Sequence, residues 1–114
     1  MPDLLKPHWF QILLALSRDD MHGSAIMEEV LERTDGAMKL WPATLYGSLR
    51  DLEEAGWIGE APSEPDAPPE PGRRRVHALT ETGREALTAE LRRMRSLLAV
   101  ARERDLLPDS GAAR

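Results

Sequence analysis

Three groups of residues in this 114-residue chain have types and spacing that could do chemistry. The first is the run Trp41 to Gly59, WPATLYGSLRDLEEAGWIG. Ala43, Thr44, Gly47 and Ser48 place small side chains on the first turns of a helix that opens at Pro42, and Arg50 follows. Gly47 costs about 1 kcal/mol of helix propensity relative to Ala. Small residues at a helix N-terminus let the backbone approach a bulky partner, and the helix dipole favours phosphate at that end. Entry into a DNA major groove needs that shape; a surface helix with a tolerated glycine is the other reading of the same residues. On the groove reading, Thr44 and Ser48 would reach phosphates or base edges, and Arg50 a guanine or a phosphate unless Asp51 or Glu54 pairs with it; Tyr46, on the helix shoulder, either bonds a phosphate or packs partly buried. The second group is Arg73-Arg74-Arg75, suited to the DNA backbone or minor groove. The third is His8, His22 and His77, which fall in three separate elements. With no cysteine, no nucleophile motif and no Gly-rich phosphate loop, they suggest neither a catalytic set, a metal site nor a cofactor.

The flanking elements must position the first two groups. Leu4 to Ser17 reads as a helix that is apolar almost all round, and so buried on more than one side. Met21 to Arg33 reads as a second helix, with His22 or Ser24 as its cap, closed by Thr34-Asp35-Gly36. Ala37 to Leu40 is a short extended link, a candidate strand stub. In the third helix Leu45, Leu49 and Leu52 form the core-facing stripe, and Gly56 suits its C-terminal cap. Trp57 to Ala61 reads as a strand and Arg73 to Thr80 as its return. Between them Pro62 to Gly72 has five prolines and is a stiff, acidic loop. Helix, helix, link, helix and then a hairpin is the order of a winged helix-turn-helix.

Thr80 can cap a final helix over about Thr82 to Leu106. Its apolar positions Leu87, Leu91, Met94, Leu98 and Ala101 have the spacing of a coiled-coil seam, widened by Leu97 and Val100. Packing on its own domain is one use of such a stripe. A homodimer is the preferred one, with Trp9 and Leu13 of the first helix added to the seam. The expected fold class is mainly α with a small β-hairpin: a winged helix-turn-helix over residues 1–80, a dimerisation helix over 81–106, and a flexible tail over 107–114.

The net charge of −5 counts against a nucleic-acid binder, because phosphate neutralisation needs Lys and Arg. Placement matters more than the total. Residues 60–71 carry Glu60, Glu64, Asp66 and Glu70 and no basic group, whereas residues 72–83 carry three arginines against Glu81. Contact from the wing is therefore expected from Arg73, Arg74 and Arg75 and not from its tip. No apolar run reaches the length of about 18 residues needed for a membrane span, and MPDLLKPHWF lacks the features of a secretory signal, so a cytoplasmic protein is expected.

With these segments placed, the chain resembles the PadR family of transcriptional regulators over about residues 4–106. The motifs are ILLAL (Ile12 to Leu16), HGSAIMEEV (His22 to Val30), ATLYGSLRDLEEAGWI (Ala43 to Ile58) and RRRVHALTETGREAL (Arg73 to Leu87). The resemblance implies a winged helix-turn-helix that dimerises through its last helix, assisted by the first. It also implies a repressor that binds double-stranded DNA at pseudo-palindromic operators. Some members release DNA on binding a small aromatic or drug-like compound, so such an effector is a third candidate partner; Trp9, Phe10 and Met94 would be its lining, although core packing is the preferred use of these three. This chain departs from the family pattern at Ala43, where Gly is common, at Ser24 and His77, where Tyr is common, and at Met94, where drug-binding members carry Trp. A different reading is a winged-helix protein-interaction module that no longer binds DNA, favoured by the acidic loop and net charge.

Overall fold

The computed structural model describes residues 5–61 and 75–108. In chain order these form α1 (Pro7–Leu16), β1 (Met21–His22), α2 (Gly23–Arg33), α3 (Pro42–Glu54), β2 (Ile58–Glu60), β3 (Val76–Leu79) and α4 (Glu81–Glu103). The strands make one antiparallel sheet in the order β1-β3-β2. The architecture is mainly helical with a small sheet, as expected.

Two helices begin for the same reason. A residue before proline is pushed out of the helical region, and Lys6 (ψ 146°) and Trp41 (ψ 155°) are both extended. Pro7 and Pro42 then take the first helical position, where a missing N–H is harmless. α1 thus starts three residues later than the apolar pattern suggests. α3 ends at a left-handed Gly56 (φ 81°), whose N–H donates to the Glu53 carbonyl at 3.0 Å while Trp57 N–H donates to Leu52 at 3.0 Å. This pair of bonds is the glycine-terminated helix end that the sequence indicates.

The start of α2 corrects the sequence reading. Met21 and His22 are a strand and not a helical turn: they pair with His77 and Val76 of β3. His22 occupies the N-cap position but makes no side-chain capping bond, and Ser24 lies inside the helix. The link after α2 contains no strand. It is anchored by Thr34, whose hydroxyl donates to the Val30 carbonyl at 2.8 Å and accepts from Met38 N–H at 3.0 Å, and by Leu40, which is buried.

α1 is the hub. It packs on α2, α3, α4 and β3. Ile12, Leu13, Ala15 and Leu16 meet Ile26 and Val30 of α2, Leu45, Leu49 and Leu52 of α3, Ile58 and Leu87 in one core. Burying each of the larger side chains contributes about 1.5–3 kcal/mol. α1 is therefore buried on several sides, as its composition requires, but by its own chain: among the described residues every exposed large apolar side chain lies outside α1. α4 opens as expected, with Thr80 Oγ1 accepting from Gly83 N–H at 3.0 Å. In its second turn Leu87 joins the same core. The acidic proline-rich loop, Arg73 and Arg74, and the tail from residue 109 lie outside the described residues.

Candidate nucleic-acid interface

α3 turns Leu45, Leu49 and Leu52 inward and exposes Pro42, Ala43, Thr44, Tyr46, Arg50, Asp51 and Glu54. Gly47 is half-buried, and a Cβ built on it would meet nothing within 4 Å. The open face therefore comprises Ala43, Thr44, Gly47 and Arg50. Ser48 does not belong to it. At 9% exposure it is buried, because it lies only about 60° round the helix from Leu45 and the neighbouring elements cover that shoulder. The sequence reading that grouped Ser48 with the outward small residues is corrected on this point.

Tyr46 has two surfaces. It is 53% exposed, yet its ring and hydroxyl lie against the start of α2, where a Cβ on Gly23 would stand 3.3 Å from the Tyr46 oxygen and 3.1 Å from Leu45 Cδ2. Gly23 thus allows α2 and α3 to approach closely, and the phenol is braced without being hidden. Arg50 is exposed and makes no ion pair with Asp51 or Glu54.

The base of the hairpin sits against the C-terminal half of α3. Arg75 spans Glu53 at 2.9 Å and Glu60 at 3.2 Å. This guanidinium is already engaged by two carboxylates, which the arginine run alone does not reveal. The pairs are half-exposed and each stabilises by no more than about 1 kcal/mol, so a phosphate can compete for the group. Below it His77 is 3% exposed, and its Nδ1, 3.9 Å from Glu53 Oε2, has no hydrogen-bond partner. Burial, and then Arg75, hold the imidazole below its usual range, against the opposing pull of Glu53 and Glu60. No group of three or more His, Cys, Asp or Glu among the described residues could hold a metal ion, and no helix there is long and apolar enough to cross a membrane.

The proposed seam divides. Leu13 and Leu87 are in the chain's own core, at 0% and 3% exposure, and have no surface to offer a partner. Their place on the expected interface is corrected: the stripe spacing is real, but its first part meets α1. Trp9 is half-buried, edge-on to Trp57 at 6.0 Å between ring centroids, with Lys6 over its ring at 4.8 Å. Phe10 is in the core and Met94 packs against it. Leu91 (40%) and Leu98 (44%) remain open on α4, joined by Leu97 and Val100, with Ala101 half-buried.

Three helices with the third presenting a small-residue face, followed by a β-hairpin, define a winged helix-turn-helix protein. The comparisons carry this to a family. The model of the transcriptional regulator PadR-like family matches residues 12–89, and the chain belongs to that family, one of regulators and not of enzymes. Among solved structures, a PadR family transcription regulator from Clostridium difficile is 24% identical, with a TM-score of 0.71 over 86% of this chain and 97% of that one. RosR of H. salinarum is 27% identical, with a TM-score of 0.62 over 90% of this chain and 96% of the other. Bacillus subtilis PadR in complex with operator DNA is 20% identical, with a TM-score of 0.63 over 75% of this chain and 47% of that chain. No curated protein matches the sequence.

Proposed function

We propose that this PadR-family regulator is a sequence-specific DNA-binding repressor acting as a cytoplasmic homodimer on a pseudo-palindromic operator. The observation that carries the reading is the open face of α3, where Ala43, Thr44, Gly47 and Arg50 present little bulk and few charges. That a similar fold occurs in B. subtilis PadR bound to operator DNA supports it. Two copies of α3 enter successive major grooves, with half-sites about 10 bp apart. Residues 1–80 form the binding unit. The α4 surface at Leu91, Leu97, Leu98 and Val100 joins the copies, flanked by Met94 and Ala101. Arg73 and Arg74, with Arg75 once released from its carboxylates, contact the backbone beside the groove. A small aromatic effector is the proposed release signal, acting near the half-buried Trp9 and Met94.

Selection of duplexes from a random pool, followed by anisotropy titrations across salt, tests this. Enrichment of a palindrome with a steep negative salt slope is the expected result. Arg74→Ala should weaken binding while leaving sequence preference in place. A second reading, a module for a protein partner, draws on the acidic end of α3 and the carboxylates on Arg75. Failure to enrich any duplex, with weak binding even at low salt, would favour it.

A further inference from the structure

Beside α3 stand two exposed side chains to which the contacts above give no role. Trp41 immediately precedes the helix and is 61% exposed, and Lys39 Nζ sits 4.3 Å from the centre of its ring. Both local preferences oppose a tryptophan here. The N-cap position favours Ser, Thr, Asp or Asn by about 1 kcal/mol, and Trp41 makes no side-chain capping bond. A large indole in water also leaves apolar area unburied. The other two tryptophans do bury theirs, packing edge-on against each other and on the core.

Charge singles out the same spot. α3 has no acidic residue in its first turn, while Asp51, Glu53 and Glu54 crowd its last turns. Arg75 is held at that acidic end. Lys39 is exposed and forms no ion pair among the described residues, and it stands at the end of α3 where Ala43 and Thr44 are exposed. In a chain of net charge −5, an exposed cation resting on an aromatic face is an asset for holding a polyanion. The ring also limits where the ammonium can go, since a cation on an exposed indole is held by about 0.5–1 kcal/mol.

We infer that Lys39 and Trp41 form a clamp on the DNA backbone at the edge of the major groove that α3 enters. The Lys39 ammonium takes a phosphate. The indole lies against the adjoining deoxyribose, with its N–H available to a phosphate oxygen. The inference rests on the DNA-binding reading above and adds to it a contact that holds the duplex without reading its sequence.

The test uses the full chain and the duplex enriched from the random pool. Trp41→Ala should weaken binding about tenfold with unchanged base preference, and Trp41→Phe, which keeps an aromatic face, should weaken it less. Lys39→Ala should make the salt slope shallower by about one. Acrylamide quenching of wild-type tryptophan fluorescence should fall when the duplex is added, and Trp41→Ala should abolish that protection. The thermal midpoint of Trp41→Ala should match wild type because the side chain is exposed; were it to fall, Lys39→Ala and the quenching of the wild type still decide. If wild type binds its duplex but both alanine variants keep its affinity and slope, and quenching does not change, the clamp is wrong and the DNA reading stands. A changed base preference in Trp41→Ala would overturn the backbone assignment. If wild type enriches no duplex, the DNA reading fails and the clamp with it.

Discussion

Gly83 lies directly beneath the carbonyl of Trp57: a Cβ at Gly83 would stand 2.0 Å from the Trp57 oxygen and 2.8 Å from its carbonyl carbon. The glycine is required for space, since α4 crosses the chain between α3 and β2 at this point. Thr80 fastens the crossing. Its N–H donates to that same Trp57 carbonyl at 3.1 Å, and its hydroxyl donates to the Gly56 carbonyl at 2.7 Å.

Gly83→Ala should therefore destabilise the fold by at least about 3 kcal/mol, because the clash is with backbone that cannot rotate away. Urea unfolding followed by circular dichroism measures it. A variant within about 1 kcal/mol of wild type would mean that the crossing is looser than this contact implies.

Gly47→Ala should act in opposite directions on stability and binding. The site is open and its backbone conformation suits any residue, so the added methyl should raise stability by about 1 kcal/mol through helix propensity. On the groove-facing side of α3 the same methyl should hold the backbone away from DNA and lower affinity. Paired thermal melts and anisotropy titrations separate the two effects. Equal or tighter DNA binding would remove Gly47 from the interface.

His77 should give stability a dependence on acid. Its folded imidazole is held below the usual range by burial and then by Arg75, with His22 adding a weaker push and Glu53 and Glu60 opposing. As pH falls below about 6.5 the unfolded chain takes up the proton first. Stability is thus fully present above that pH, declines as pH falls toward the folded value, and levels off below it. His77→Gln should flatten that segment of the stability profile, whatever its effect on stability at neutral pH. An unchanged slope in the variant would show that another group is responsible.

Leu91→Glu combined with Leu98→Glu should shift the proposed dimer to monomer and leave the winged domain folded, since both side chains are open at 40% and 44%. Leu13→Ala should do the reverse, costing about 2–5 kcal/mol of stability from the core without directly removing interface surface. Sedimentation velocity together with thermal melts distinguishes them. A doubly substituted protein that still sedimented as a dimer would place the interface elsewhere.

The order of elements and several of their ends were legible in the sequence because local chemistry decides them. Pro42 opens α3 and Gly56 closes it, and Thr80 caps α4, each through groups within a few residues. The Leu45, Leu49 and Leu52 stripe set the inward face of α3, and the family motifs lay along the same elements. Other features depend on partners distant in the chain and needed the tertiary structure. β1 is two residues long and exists only through β3, so no periodicity could signal it. Ser48 lies on the flank of the stripe, and only the packing around α3 buries it. Leu13 and Leu87 carry the same apolar character as Leu91 and Leu98, but contact between α1 and α4 assigns the first pair to the core and leaves the second pair open. Arg75 is held by Glu53, 22 residues away, and by Glu60 across the hairpin. Residue type and spacing thus determined which side chains could be apolar, capping or cationic. Only the folded arrangement decided which were consumed in holding the protein together and which stayed available for a partner, because burial and ion pairing arise from contacts between distant segments.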